Sequence, residues 1–357
     1  YKYSGSIEFR YEDNHTGLRN TPSYSSSNAF KFRWSHRQDS KAHPHRSFSA
    51  NVNLVSSKFN QYTTNLSDYF NNTTTSSIAF STKLGSYWNL TANLGESYNV
   101  NTGAISLDLP SVSVSTTQIY PFRKKKKQGK NKWYEDISLS YRVNMINKID
   151  TYDTLLTSPD IFKSFRNGII HSLPIQSNVK IFKHLNWTNS IDYTERWYSN
   201  SISKTYNPAT DLIDKDTVYG FIANRNANFK SSLNTRLYGM FIFKKGFIKA
   251  IRHVINPNIS FTYTPDFSDP SLGFYDFYTD KNGNRIYYSR TENGIYGSPA
   301  QGASGIVNFS IGNNLEMKVK NTKDTITGER KIILLENFTI ASGYDLAKDS
   351  LNWQPLR

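Results

Sequence analysis

A strict alternation of apolar and polar residues, sustained over long segments, constrains the fold of this chain more than any other feature. Trp88, Leu90, Ala92 and Leu94 alternate with polar residues. The same alternation recurs over residues 7–11, 30–34, 137–145, 251–263 and 307–319. Successive side chains of an extended chain point to opposite faces, so each segment is predicted to be a β-strand with one apolar and one polar face. No comparable helical periodicity occurs, and we therefore assign no helix.

Strand length distinguishes a membrane barrel from a soluble sheet. Several segments keep their phase well beyond the roughly 5–6 residues of an average soluble strand, and a tilted strand needs about 9–11 residues to cross a bilayer. Hydrophobic residues make up only 37% of the 357 residues, although aromatics reach 15%. An outward apolar stripe and a polar lumen produce this combination together. The sequence therefore favours an all-β fold, a transmembrane antiparallel β-barrel, over a soluble β-sandwich or β-helix, which would show the same alternation.

Aromatic residues near the strand ends support the same interpretation, because transmembrane barrels carry aromatic girdles at both membrane interfaces. The residues predicted to lie at an interface are Trp88, Trp187, Tyr193 and Trp197. The mean hydropathy is −0.60, and no apolar run approaches the ~18 residues of a spanning helix, which excludes a helical membrane protein. The absence of cysteine excludes disulfides within the chain, cysteine-ligated zinc and a cysteine nucleophile.

The predicted connections alternate between short and long, as do the periplasmic turns and extracellular loops of outer-membrane barrels. Short connections are predicted at residues 85–87, 183–185 and 244–249. Long loops are predicted at residues 58–75, 147–168, 198–215 and 266–304. In the last of these, FYDFYT and RIYYS flank Asn282 and Gly283, which predicts a hairpin with a type I′ turn.

The whole chain is predicted to belong to a single barrel domain. We find no internal boundary in residues 1–357, and we count about thirteen strands, whereas bacterial single-chain barrels have even strand numbers. The odd count, the polar start without a signal peptide and the end at Arg357 in mid-pattern predict an incomplete barrel. We therefore expect closing strands of a larger barrel outside this chain.

Positive charge points to an anionic partner, because 43 Lys and Arg against 28 Asp and Glu give a net charge of +15. The densest cluster, called here the basic turn, comprises Arg123, Lys124, Lys125, Lys126, Lys127, Lys130 and Lys132. Residues 36–46 and 244–252 are also basic, and loop alternation places the basic turn on the periplasmic side. It is either a solvated turn or a surface that guides lipid phosphates, at about 1 kcal/mol per cation near an anionic surface. Nucleic acid is the weaker candidate, because no aromatic residue is interleaved with the cations.

Catalytic and metal-binding motifs are absent or weak. There is no nucleophile elbow, Walker loop, zincin motif or dinucleotide fingerprint. His43 and His45 lack a third ligand nearby and are predicted to be turn residues. The residues around Asp280 imitate a calcium loop but lack its glycine spacing and closing Glu. Asp192 and Glu195 are three apart on a strand and face opposite sides, so they form no acid–base pair. We predict no catalytic residue, no cofactor and no enzyme activity.

Pro174 and Pro257 lie within predicted strands. Proline cannot donate a hydrogen bond to a neighbouring strand, so each is predicted at an edge, at a bulge or at a weakened pairing. A bulge that sets curvature is the favoured interpretation. The alternative is a weakened pairing that lets a barrel open sideways.

Segments spread over nearly the whole chain carry a resemblance to a known family. They include FRWSHRQDSKAHP, KWYEDISLSYRVN, NGIIHSLPIQ, DYTERWY, FKKGFIKAIRHVINPNISFTYTPDFSDP and FSIGNNLEMKVKN. With these segments the chain resembles the barrel of the LptD-like (OstA/Imp) lipopolysaccharide-assembly outer-membrane proteins, in a divergent branch. The resemblance implies an outer-membrane barrel that follows a periplasmic jelly-roll domain and opens at a lateral gate between its first and last strands. The partners it implies are an LptE-like plug lipoprotein, periplasmic lipopolysaccharide-bridge proteins, lipopolysaccharide and outer-membrane lipids, without nucleic acid.

The chain also departs from the pattern of that family. No jelly-roll pattern precedes Tyr1, so the jelly roll is expected outside this chain, and no gate residue can be assigned to a position. Pro174 and Pro257 lie mid-chain and are not interpreted as gate prolines. The predicted function is the insertion of lipopolysaccharide into the outer leaflet. A nutrient transporter or porin-type barrel and a soluble carbohydrate-binding β-protein are the alternatives.

Overall fold

The computed structural model describes residues 2–56, 73–126, 129, 131–321 and 328–357. Its strands are β1 (Tyr3–Thr16), β2 (Ser25–Gln38), β3 (Arg46–Val55), β4 (Thr73–Leu84), β5 (Trp88–Asn99), β6 (Ala104–Thr116), β7 (Ile137–Leu139), β8 (Arg142–Tyr152), β9 (Arg166–Ile181), β10 (Leu185–Asn207), β11 (Leu212–Asn234), β12 (Leu237–Ile242), β13 (Ile248–Thr264), β14 (Tyr275–Thr279), β15 (Arg285–Ser289), β16 (Ser304–Lys320) and β17 (Glu329–Asp345). The only helices among the described residues are short 3-10 turns at Trp133–Asp136, Asp153–Leu155, Ile161–Ser164 and Pro270–Leu272. None of them has the length and apolar character needed to cross a membrane.

The strands build one large antiparallel sheet in which neighbours in the chain are neighbours in space. Of its 15 strands, all but β7 and β12 lie on a single path, which leaves thirteen side by side from β1 to β17. β7 pairs with β9 next to β8, and β12 pairs with β13 next to β11. β14 and β15 form a separate two-stranded hairpin. The predicted all-β antiparallel fold with about thirteen strands is confirmed, and the open sheet is consistent with the predicted β-barrel.

Apolar side chains form continuous rows on one face of the sheet. Ile7 of β1 is 73% exposed and pairs with Trp34 of β2. On the same face, toward the other edge of the sheet, Ile259 of β13 pairs with Leu233 of β11 and with Phe309 of β16. Large contiguous apolar surfaces are rare on soluble proteins and typical of surfaces that contact a membrane or a partner. We call this side of the sheet the membrane-facing side.

The opposite face of the sheet carries polar residues. Ser260 of β13 pairs with Ser232 of β11 and with Asn308 of β16, one residue along from the apolar row. We call this side the lumen-facing side. The period-two alternation in the sequence therefore corresponds to two distinct surfaces, as expected for the wall of a transmembrane barrel.

Both prolines lie opposite a break in a neighbouring strand. Pro174 of β9 lies opposite the gap between β7 and β8, and its carbonyl accepts a 3.3 Å hydrogen bond from the Ser140 amide. Pro257 of β13 lies opposite the gap between β11 and β12, and its carbonyl accepts from the Thr235 amide at 3.3 Å. An antiparallel residue directs its N–H and C=O toward the same neighbour, so the missing donor of each proline faces the break.

The favoured prediction of a bulge at these prolines is wrong. Leu139 pairs with Ile175 and Arg142 with Ser172, so the register continues across the break without an extra residue. Both sites instead fit the alternative, a weakened pairing, because the neighbouring strand is interrupted opposite each proline. A register shift next to a proline lies elsewhere, between Asp108 and Ser111 of β6.

The connections alternate between two ends of the sheet. We call the end with the turn 85–87 the lower end and the end with the loop 265–303 the upper end. The turns 39–45, 182–184 and 243–247 and the segment 117–136 also lie at the lower end. The loops 17–24, 100–103, 153–165 and 208–211 lie at the upper end. The predicted short connections are therefore all at the lower end.

Two of the predicted long loops are shorter in the structure. Within 198–215, β10 and β11 stay paired through Asn207 and Leu212, so only residues 208–211 form a turn. Within 147–168, strand structure extends to Tyr152 and resumes at Arg166. The apolar alternation stops there because both faces of an extension beyond the membrane meet water, yet the backbone pairing continues. Most of the predicted loop 58–75 lies outside the described residues.

The hairpin predicted within 266–304 is present, but its turn is not type I′. Gly283, with φ of 81°, has a left-handed conformation, whereas Asn282 does not. Asp280 donates its amide to the Asn284 carbonyl at 2.9 Å, and Gly283 donates to the Asp280 carbonyl at 3.1 Å. This pattern is a three-residue loop with a type I turn and a glycine bulge. The Asp280 carboxylate stabilises it by accepting from the amides of Asn282 and Asn284.

The assignment of the two faces predicts a strong asymmetry between adjacent positions of β16. Ile311 is membrane-facing, is 46% exposed and pairs with Pro257 and Ile340. Ile311→Arg should destabilise the folded protein in bilayers by about 2–4 kcal/mol, because a cation would face hydrocarbon. The matched control is Ser310→Arg, which places the same cation on the lumen-facing side. Unfolding of the full-length protein in liposomes by urea measures both, and equal effects would contradict the assignment.

Candidate functional site

The aromatic residues predicted at the membrane interfaces lie along the membrane-facing side. Trp88 is the first residue of β5, and Trp187 lies near the start of β10, so both are at the lower end. Trp197 is ten residues beyond Trp187 on the same face of β10, and about 9–11 residues carry a tilted strand across a bilayer. Tyr193 lies between them and donates a 2.5 Å hydrogen bond to Glu195 Oε2. The spacing of Trp187 and Trp197 fits two girdles, and the interface role of all four aromatics stays a prediction.

Charged side chains on the lumen-facing side are held by partners on neighbouring strands. Arg252 Nη2 lies 2.6 Å from Glu316 Oε2, and Lys331 Nζ lies 2.6 Å from Glu316 Oε1. Arg196 Nη1 donates to Asn226 Oδ1 at 2.7 Å. This wall presents amides, hydroxyls and paired ions rather than apolar groups, so it can hydrogen-bond a hydrated or saccharide cargo.

Part of the long upper loop folds down onto the lumen-facing side of β8–β11. We call residues 288–297 the lumen loop. Tyr198 Oη donates to the Gly297 carbonyl at 2.6 Å, and Arg196 Nε donates to the Tyr296 carbonyl at 3.1 Å. Asn224 Nδ2 donates to Thr291 Oγ1 at 2.7 Å. Tyr198, Asn224 and Thr291 are each at most 3% exposed, so these contacts form a buried, specific seam.

Further bonds connect the lumen loop to the upper parts of the same strands. The Ile202 amide donates to the Arg290 carbonyl at 2.9 Å. Lys204 Nζ lies 2.5 Å from Glu292 Oε1, and only 12% of the Lys204 side chain is exposed. Tyr296 Oη donates to the Asn144 carbonyl of β8 at 3.2 Å. The loop therefore contacts strands on both sides of β9 and covers the lumen wall near the upper end.

Two glycines permit this close contact. A Cβ atom on Gly294 would lie 2.6 Å from the Tyr198 ring, and a Cβ atom on Gly168 of β9 would lie 2.9 Å from Ile295. Real Cβ atoms do not approach neighbours so closely. Both positions therefore require glycine for packing reasons, without any demand on backbone conformation.

A hydrogen bond joins the two ends of the long upper loop. Asp266 Oδ1 accepts from the Gly302 amide at 3.0 Å and from Ser268 Oγ at 2.6 Å. These bonds to Ser268 and Gly302 hold the pKa of Asp266 below its ordinary value. The carboxylate is therefore ionised at neutral pH and keeps accepting the bonds that hold the loop ends together.

The basic turn lies at the lower end, and several of its cations contact its own aromatic and acidic residues. The Arg123 guanidinium lies 3.4 Å from the Tyr120 ring centroid, and its Nη2 lies 3.7 Å from Asp136 Oδ1. Lys132 Nζ lies 5.8 Å from the Tyr134 ring centroid. These flanking rings pack against the protein's own cations and are not open stacking platforms for bases.

The remaining cations of the basic turn differ in their surroundings. Lys124 Nζ lies 4.0 Å from Glu135 Oε1, whereas no carboxylate of a described residue pairs with Lys125 or Lys126. Lys127 and Lys130 lie outside the described residues. The described lysines of the basic turn thus lie at the lower end of the sheet. Contact of the basic turn with anionic lipid stays a prediction.

Other basic turns lie at the same lower end. The turn 39–45 contains Lys41, and the turn 243–247 contains Lys244 and Lys245. In the part of the chain that the structure describes, none of these three lysines forms an ion pair. Some cations of the upper loops, in contrast, are paired: Lys281 with Asp211 at 3.2 Å is an example. The unpaired lysines of these lower turns therefore place available positive charge at the lower end.

No group of three or more His, Cys, Asp or Glu residues in the described ranges could hold a metal ion. The rings of His43 and His45 lie 6.4 Å apart, and the His45 amide donates to His43 Nδ1 at 3.2 Å, which places both in the predicted turn. Asp192 and Glu195 lie an odd number of residues apart on one unbroken stretch of β10, so they face opposite sides.

Sequence reasoning missed the seam between the lumen loop and the strands. Tyr198, Arg196 and Asn224 read as ordinary members of alternating strands, and their partners are about 70–100 residues away along the chain. The run GSPAQGASG at residues 297–305 is rich in glycine and contains a proline, which indicates turns at the end of the predicted loop 266–304. Nothing in it indicated that the residues just before it fold into the lumen.

Comparison with known protein families identifies a relationship over the whole given sequence. The model of the family described as LptD protein matches residues 1–357, which is the length of the chain. No curated protein matches the chain.

The seam makes a direct prediction for the lumen loop. Gly294→Ala forces Cβ against Tyr198, and overpacking costs about 1–3 kcal/mol. Amide hydrogen exchange of the lumen loop, measured by mass spectrometry on the full-length protein, should therefore accelerate at least about fivefold. Gly305→Ala is the control, because its Cβ meets no atom closer than 3.6 Å. Unchanged exchange in Gly294→Ala would show that the loop is not held by this contact.

Proposed function

The chain belongs to the LptD protein family. On that premise we propose that it forms part of the barrel wall of an outer-membrane translocon, which inserts lipopolysaccharide into the outer leaflet. Family membership supports a role in lipopolysaccharide transport and assembly at the outer membrane. The observation that carries the proposal is the width and polarity of the lumen-facing wall. Eight-stranded barrels fill their interior with side chains, whereas about 16–18 strands leave an aqueous channel. Thirteen strands side by side therefore support a lumen that is wide enough for a saccharide.

The mechanism is passive guidance without covalent chemistry. The polar lumen-facing wall accommodates the sugar and phosphate groups of lipopolysaccharide, while its acyl chains enter the apolar interior of the membrane. Because the two parts of the lipid need opposite surroundings, the cargo must leave sideways, through a lateral gate between strands. An LptE-like plug lipoprotein in the lumen and periplasmic bridge proteins that deliver lipopolysaccharide are the partners that this mechanism needs.

The lumen loop gives this route a direction. By binding to Arg196, Tyr198 and Asn224, it covers the lumen wall near the upper end. A cargo that rises through the lumen meets this cover before it reaches the extracellular mouth. The covered exit favours lateral release into the membrane over release into the medium.

Depletion of the full-length protein in its own cells tests the function. Newly made lipopolysaccharide should then accumulate in the periplasm or inner membrane, because its route to the surface is lost. Surface labelling of pulse-labelled lipopolysaccharide, with membrane fractionation, measures the distribution. Normal surface delivery would refute the proposal, and a selective loss of uptake of a small solute would instead favour the nutrient transporter or porin alternative.

The basic turn makes a separable prediction. We expect Lys124→Gln, Lys125→Gln and Lys126→Gln together to slow delivery of lipopolysaccharide to the cell surface severalfold at low salt. Each cation contributes about 1 kcal/mol to attraction by an anionic surface. The control neutralises three cations of upper-end loops: Arg19→Gln, Lys163→Gln and Lys348→Gln. Barrel folding is checked in both by heat-modifiable gel mobility. Equal delivery by the two triple variants would mean that the basic turn is only a solvated turn.

A further inference from the structure

An apolar groove opens on the membrane-facing side near the upper end of the apolar band. Its walls are Met145 of β8, Ile169 of β9, Trp197 of β10 and Phe221 of β11. The Trp197 and Phe221 rings meet edge to face with centroids 5.9 Å apart. The cavity holds about 500 Å³, which is within the size range of small-molecule sites. We call these four residues the outer groove.

A β-bulge lies at this groove. A bulge on β11 shifts the register between Tyr198 and Asn200, and Gly220 lies within the bulge with φ of 149°. Phe221 next to it lies on the membrane-facing side and is 73% exposed. A bulge bends its strand and redirects a side chain, so the aromatic ring forms a raised wall rather than part of a flat surface.

The rim above the outer groove is polar but uncharged. Ser199 Oγ donates to Asn167 Oδ1 at 2.6 Å, and Asn167 pairs directly with Asn147 of β8. The nearby cations Arg166 and Lys148 alternate onto the lumen-facing side, where both pair with Asp150, at 2.7 and 3.5 Å. Amides and hydroxyls without free charge suit sugar hydroxyls better than a phospholipid phosphate, which prefers cations.

Below the rim, a polar network holds the groove wall rigid. Glu195 Oε1 accepts from Trp197 Nε1 at 2.7 Å, and its other oxygen accepts from Tyr193. The His171 ring packs on Trp197 with centroids 4.1 Å apart, and its Nδ1 lies 2.7 Å from Tyr141 Oη. A charge on the lipid-facing side is tolerated best near an interface, and Glu195 lies two residues below Trp197. The network fixes the rotamer of Trp197 and thereby the shape of the groove.

We propose that the outer groove is a binding site for a glycolipid of the outer leaflet, namely lipopolysaccharide, with one acyl chain in the groove and a sugar on the rim of Asn147, Asn167 and Ser199. This inference goes beyond transport, since it concerns the outside of the barrel. It rests on the proposed function in one respect, namely that the chain lies in a membrane whose outer leaflet contains lipopolysaccharide and faces the upper end of the sheet. A lipid held there would cover the apolar walls of the groove, among them the 73% exposed Phe221.

Site-specific photocrosslinking in living cells tests the site. A benzophenone amino acid replaces Phe221 in the full-length protein, and the control replaces Phe229, which is membrane-facing on the same strand, 39% exposed and outside the groove. Lipopolysaccharide adducts should form at position 221 several times more often than at position 229. Equal yields at both positions, or phospholipid adducts alone at position 221, would overturn the proposal. Depletion of the protein tests transport separately, so failure of one proposal leaves the other standing.

The rim is tested by a second variant that does not disturb the groove walls. Asn167→Ala removes one neutral hydrogen-bonding group, which corresponds to about fivefold weaker binding. Purified full-length protein in phospholipid nanodiscs is titrated with lipopolysaccharide, and binding is followed by native mass spectrometry. Asn189→Ala, a change of the same kind lower on the membrane-facing side of β10, should leave affinity unchanged. Equal affinities of the two variants would contradict a sugar-binding rim.

Discussion

Every peptide group inside a bilayer must find its hydrogen-bond partner within the protein, because hydrocarbon offers none. An antiparallel sheet with each strand bonded to its neighbours meets this demand and leaves the side chains free to serve two different solvents. The thirteen-strand path from β1 to β17 follows from that constraint, as do the apolar rows that include Ile7, Ile259 and Phe309. The polar residues around Ser260 and Asn308 lie on the opposite face. The sheet itself separates this face from lipid, so its side chains can be polar.

The two breaks in the hydrogen-bonding pattern show how strictly this constraint is met. Pro174 and Pro257 each lack the donor that a neighbouring strand would accept, and in each case the neighbour is interrupted at that point. The amides of Ser140 and Thr235 still reach the proline carbonyls at 3.3 Å, so those donors are not lost to lipid. Because the register continues across both gaps, the breaks loosen the wall locally without shifting any side chain to the wrong face.

Sequence alternation predicted the strands and their faces because both depend on local side-chain direction. It could not predict that β10 and β11 stay paired as far as Asn207 and Leu212, since above the membrane both faces meet water and the alternation disappears. The lumen loop was beyond reach for a different reason. Its bonds to Arg196 and Tyr198 join residues about 100 positions apart, and long-range side-chain contacts leave no periodic signal. The turn at Gly283 was assigned to the wrong type because the Asp280 carboxylate, and not the Asn-Gly pair alone, determines its geometry.

The distribution of charge suggests how a barrel without an energy source can favour one direction. Lysines such as Lys125, Lys126 and Lys244 form no ion pair in the part of the chain described, so their charge is available to an anion at the lower end. At the upper end Lys204 is bound to Glu292 and Lys281 to Asp211, which cancels most of their attraction for a passing phosphate. Passage through a pore requires binding that is strong enough to admit the cargo and weak enough to release it. For the proposed route, attraction that declines from the lower to the upper end satisfies both requirements, because an anionic lipid is then held less strongly where it would leave.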